Sequence, residues 1–164
     1  MNLSKLFQLQ HTLDERIVEE HNLQGKHLFP NKILALQVEV SELANETRCF
    51  KFWSNKGPSP KEKILEEYVD CLHFILSLGL EKNYSDVELN LRYDTSDNVE
   101  LTKHFVNIYI DINDFVVCSS KDNYKTLFED FLCLGSDLGF SYEEIEKAYF
   151  EKNSINHKRQ DDGY

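Results

Sequence analysis

Two short acidic pairs carry most of the chemistry this chain can do. Glu39-Val-Ser-Glu42 and Glu67-Tyr-Val-Asp70 each set two carboxylates three residues apart, inside apolar runs rather than polar ones. Residues three apart on a helix share a face, so each pair aims both carboxylates in one direction. From Tyr68 to Leu80 the charged or strongly polar side chains are Asp70, His73 and Ser77, a single polar stripe on an otherwise apolar helix. Carboxylates buried together must be protonated, paired with bases or bound to cations. The pattern predicts a metal cage of Glu39, Glu42, Glu67 and Asp70. Oxygen donors alone favour Mg²⁺, with Mn²⁺ as the alternative, and Mg²⁺ held by carboxylates keeps positions for substrate phosphates. A di-iron bundle would need Glu-x-x-His on two helices, whereas this chain has none and a single Asp-x-x-His, Asp70 to His73.

The elements that position these groups follow from apolar spacing. Three prolines, six glycines and apolar positions mostly three and four apart predict an all-α bundle of about five to six helices. Leu3, Leu6, Phe7, Leu13 and Ile17 stripe a first helix, with Gln10 where a leucine is expected and Asp14 one turn beyond. A connection over 23–30 leads to a second helix from Ile33 to about Phe50. Gly57, Pro58 and Pro60 mark a loop that holds Trp53, and a third helix runs from about Lys61 to Leu80. After an irregular stretch, Tyr84 to Asn98, come a helix over about Val99 to Val117 and another around Tyr124 to Leu138. Ser141 with Glu144 opens a last helix through a capping box. Residues 153–164 are polar and are expected to form a mobile C-terminal segment.

At 164 residues without a composition break, the chain is expected to form one domain, 1–164. A net charge of −11, from 29 acidic against 18 basic residues, argues against nucleic acid or an anionic membrane as partner. A phosphate ligand requires divalent cations to reverse the local sign. Four cysteines without a Cys-x-x-Cys indicate neither a zinc knuckle nor a disulfide framework. With no signal-peptide core or spanning run, a soluble cytoplasmic protein is expected.

Each candidate also has a plain structural reading. His73 could be a satisfied core histidine, Gln10 and Asp14 a wet helix edge, Trp53 a core anchor, and Lys152, His157, Lys158 and Arg159 a frayed terminus. Against these stand the acidic stripe beside His73, the place of Trp53 in a Gly/Pro-rich loop, and the basic tail of an acidic chain.

Taken together, the motifs resemble the all-α nucleoside triphosphate pyrophosphatases, and in particular their dimeric dUTPase branch. Beyond the two acidic pairs, the resemblance rests on Leu9-Gln-His-Thr-Leu-Asp14, Phe50-Lys-Phe-Trp53, Asp70-Cys-Leu-His-Phe74 and Lys152-Asn-Ser-Ile-Asn156-His-Lys-Arg159, the last closing with Gly163-Tyr164. Asp14 stands where several members carry asparagine. The resemblance implies Mg²⁺-dependent hydrolysis of dUTP to dUMP and pyrophosphate, and of dUDP to dUMP and phosphate. It implies that Glu39 or Glu42 activates the attacking water, that Gln10, Asp14, Trp53, His73 and Asn156 recognise the base, that Lys152 and Arg159 neutralise phosphates, and that Tyr164 helps close the tail. A homodimer is expected, because the second and third helices are apolar on nearly all sides. Alternatives are a pyrophosphatase for dCTP or non-standard nucleotides, and a binding or regulatory protein on the same fold.

Overall fold

The computed structural model describes residues 1–90 and 100–163. Tyr164 and the part of the irregular stretch from 91 to 98 lie outside them. The described residues form six helices and no strand: α1 Leu3–Glu20, α2 Phe29–Thr47, α3 Lys61–Glu81, α4 Leu101–Val117, α5 Lys121–Asp137 and α6 Tyr142–Asp161. None of these helices is long and apolar enough to cross a membrane.

Local chemistry sets most boundaries. Asn2 and Ser120 cap α1 and α5 by accepting from Lys5 N and Asn123 N, each at 3.1 Å. Pro30 sits in the first turn of α2, where its missing N–H costs no hydrogen bond, so the helix begins earlier than the expected Ile33. It ends at Thr47 rather than Phe50, where Arg48 turns into the left-handed region at φ 58°. The capping box at Ser141 and Glu144 is formed as expected.

The segment 153–161, expected as a mobile tail, is instead the continuous end of α6. Its partners are polar: Arg16 Nη1 donates to the His157 carbonyl at 2.9 Å, and Arg16 Nη2 pairs with Asp161 at 2.6 Å. Asn153 is buried.

α3 is the centre, packed by α1, α2, α5 and α6. Between Glu67 and Gly79 every residue but Asp70 and Phe74 is buried. α3 and α5 exchange tyrosines across a pair of glycines. Tyr124 of α5 lays its hydroxyl over Gly79 and donates to the Ile75 carbonyl at 3.0 Å. Tyr68 of α3 does the same over Gly135, donating to the Phe131 carbonyl at 3.1 Å and stacking on Phe131 with ring centroids 4.3 Å apart. A Cβ on either glycine would occupy the place of the hydroxyl.

This sets a sign that helix propensity alone would get wrong. Glycine to alanine inside a helix normally stabilises by roughly 0.5–1 kcal/mol. Here Gly79→Ala and Gly135→Ala should each destabilise by about 1–3 kcal/mol, the usual cost of overpacking, as read from urea denaturation. Unchanged midpoints would show that the helices do not approach this closely.

Candidate active site

Glu67 and Asp70 lie one turn apart on α3, and α2 packs alongside with Glu39 facing them. Each of the three offers an oxygen within 4.8 Å of the others. Glu67 is buried, while Glu39 and Asp70 are half-buried. Glu42, one turn further along α2, is exposed and stands outside this triad. It lines an adjoining cleft of about 420 Å³ with Ser41, Asn45, Glu46 and Glu67. The expected quartet is thus a triad with a fourth carboxylate beside it.

The electrostatics are those of a site short of cations. Burial, then the neighbouring charges of Asp70, Glu42 and Glu67, push the Glu39 carboxyl up to about 7. Burial also raises Asp70 above the usual carboxylate range, although Lys152 opposes the shift. The Lys152 ammonium, carried by α6 and itself buried, lies 2.6 Å from Asp70 Oδ2 and 3.2 Å from Glu66 Oε1. Lys63 pairs with Glu67 at 2.5 Å and Glu66 at 3.3 Å. Two lysines therefore face five carboxylates, and the three converging ones suit a hard cation with oxygen ligands.

Beside the triad, a cleft of about 200 Å³ runs between α1, α3 and α6. Its lining includes Gln10, Asp14, Glu39, Asp70, His73, Asn156 and Arg159, so seven of the expected site residues meet in one place. A polar chain lies along its wall. Gln10 Oε1 accepts from Tyr149 Oη at 2.9 Å and lies 2.7 Å from His73 Nδ1. Gln10 Nε2 donates to Asp14 Oδ1 at 2.7 Å, and Ser77 Oγ to Asp14 Oδ2 at 2.5 Å. Lys32 joins Asp14 at 3.6 Å and Glu81 at 3.0 Å. His73 stacks on Tyr149, ring centroids 4.3 Å apart, and its Nε2 is buried without a partner among the described residues. Burial and the Lys152 charge push this imidazole down to about 3, so it is neutral at ordinary pH. Beyond Asp14 and Ser77 the cleft continues into an apolar recess of about 250 Å³, lined by Leu28, Ala35 and Phe74 among others.

Trp53 is not brought to the cleft. It stands 64% exposed in the loop after α2, edge-on to Phe50 and Phe52. Spacing arguments also missed Lys32, Glu66 and Tyr149, which hold Asp14, Lys152 and Gln10 in place. A larger concavity of about 770 Å³ around Cys49, Leu101 and Val106 has Glu100 as its one carboxylate among the described residues, so size does not locate the chemistry.

The Glu39 shift predicts a pH dependence. A carboxyl raised from 4.5 when unfolded to about 7 when folded adds stability below pH 4.5 that is lost as pH rises through 7. Without divalent cations, Glu39→Gln should flatten this fall and melt higher than wild type at pH 8. Parallel melting curves for the two proteins across that window would contradict the crowded triad.

A family model described as dUTPase matches residues 2–164, nearly the whole chain. Among curated proteins none matches.

Proposed function

We propose a division of labour for this dUTP diphosphatase, for the chain belongs to the dUTPase family of nucleoside triphosphate pyrophosphatases. In this reading the protein is a cytoplasmic enzyme of one domain that hydrolyses dUTP to dUMP and pyrophosphate, and dUDP to dUMP and phosphate. The observation that carries it is the meeting of the acidic triad with a cleft lined by amide, imidazole and guanidinium groups.

Glu39, Glu67 and Asp70 would hold Mg²⁺, with Glu42 at the edge. When bound, the cation neutralises phosphate oxygens and lowers the pKa of a water. Glu42, outside the triad and more exposed, is the carboxylate left to accept a proton from the attacking water, with Glu39 the alternative. Lys152, at the junction of triad and cleft, and Arg159, in the cleft wall, would meet phosphate oxygens. Gln10, His73 and Asn156 would face the base, with Asp14 behind Gln10.

We also propose a homodimer. Leu34 and Val38 on α2, and Val106 and Ile110 on α4, are each about half exposed or more, one turn apart on their helices. They flank the seam where Tyr109 Oη meets Ser41 Oγ at 2.5 Å and donates to the Gln37 carbonyl at 3.1 Å. Phe52, 93% exposed, and Trp53 add aromatic surface near the end of α2. Paired helices of two chains would cover such a stripe, placing Trp53 where a partner chain could complete its surroundings.

Two experiments test these assignments. With Mg²⁺, pyrophosphate release should be faster from dUTP than from dTTP, dCTP or UTP, and Glu42→Gln should lose at least about a hundredfold in kcat while remaining folded. Equal rates on all four nucleotides would contradict uracil recognition, and full activity of Glu42→Gln would remove it from the chemistry. Sedimentation at micromolar concentration should give a dimer, and Val38→Glu with Ile110→Glu should give a folded monomer; a wild-type monomer would end the dimer reading.

A further inference from the structure

The polar chain along the cleft wall has a direction, and one residue sets it. Tyr149 and His73 can each be used either way, since a phenol donates or accepts and a neutral imidazole carries its proton on either nitrogen. Gln10 reverses by exchanging its amide oxygen and nitrogen. The Asp14 carboxylate can only accept. Its Oδ1 lies 2.7 Å from Gln10 Nε2, and its Oδ2 takes Ser77 Oγ at 2.5 Å with the Lys32 ammonium at 3.6 Å. Turning Gln10 over would bring its carbonyl oxygen against the carboxylate, acceptor to acceptor. Gln10 Oε1 must therefore face Tyr149 and His73, and both donate to it, at 2.9 and 2.7 Å. With the proton on Nδ1, His73 keeps a lone pair on Nε2. That atom is buried and has no partner among the described residues, in a residue 6% exposed that lines the cleft.

We infer that Asp14 is a positioning residue: through Gln10 it holds His73 as the Nδ1–H tautomer, so that Nε2 is offered to the cleft as a fixed acceptor for an N–H donor of the ligand. Resting on the nucleotide reading above, the donor is the imide N–H of a uracil ring. Cytosine in the same place brings a ring nitrogen with a lone pair, and two acceptors repel. An asparagine at position 14 would invert the chain. Lys32 and Ser77 would draw its amide oxygen, leaving its nitrogen to face Gln10. Gln10 would then turn its own nitrogen to Tyr149 and His73, Tyr149 would donate to the Leu6 carbonyl 3.4 Å away, and His73 would carry its proton on Nε2. Every group of the chain stays satisfied except His73 Nε2, which lacks a partner among the described residues in either arrangement, so the fold tolerates the change and only the face shown to the ligand differs.

Nitrogen-15 NMR of the imidazole distinguishes a protonated ring nitrogen from a bare one. In the nucleotide-free protein, His73 should show a protonated Nδ1 and a bare Nε2. Asp14→Asn should exchange the two, and Asp14→Ala, which removes the acceptor without supplying a donor, should give a mixture. Ser77→Ala leaves Asp14 an acceptor and should keep the wild-type pattern. A wild-type His73 protonated on Nε2, or one tautomer shared by wild type and both Asp14 variants, overturns the inference. Tautomer exchange in a protein inactive on dUTP would instead overturn the nucleotide reading and leave the role of Asp14 standing.

Discussion

Crowding of like charge where α2 meets α3 is the constraint on which the rest of the site depends. Three carboxylate oxygens converge within 4.8 Å, one of them on a side chain only 8% exposed. Such an arrangement is unfavourable unless something rigid enforces it and something positive relieves it. Rigidity comes from α3, which neighbours surround on four sides. Relief comes in part from Lys152 and Lys63, whose ammonium groups lie against Asp70 and Glu67. The carboxylate charge that these lysines leave uncompensated is of the kind that a hard cation would balance.

α3 also orders the chemistry along its length. Glu67 and Asp70 come first, then His73, then Ser77, so the acidic end and the neutral polar end lie on one stripe about ten residues long. α1 and α6 supply the opposite wall with Gln10, Asp14, Asn156 and Arg159. Acidic and neutral polar groups thereby occupy different ends of a single groove.

Much of this was legible in the sequence because it is periodic. The stripe Asp70, His73, Ser77 and the oddity of Gln10 within an apolar face both mark positions that the structure turns to the cleft. The helix ends were less legible: Pro30 opens α2 rather than preceding it, and Arg48 closes it through a single backbone angle. The end of α6 was missed because Asn153 and the Arg16 contacts make a polar interface, which leaves no apolar period to detect. Tyr149 and Lys32 were missed for another reason. Tyr149 reaches Gln10 across 139 residues of sequence, and no local pattern records a hydrogen bond of that span.

The exchanged tyrosines of α3 and α5 work as a dovetail. Each hydroxyl fits over a missing side chain on the other helix and is tied to the carbonyl one turn before it. Rotation or sliding of α3 against α5 would withdraw both tenons from their mortises. Adaptation to differently sized ligands is therefore denied to the helix that carries Glu67, Asp70 and His73. It falls to the side chains of the cleft, whose hydrogen bonds and ion pairs can be remade one at a time.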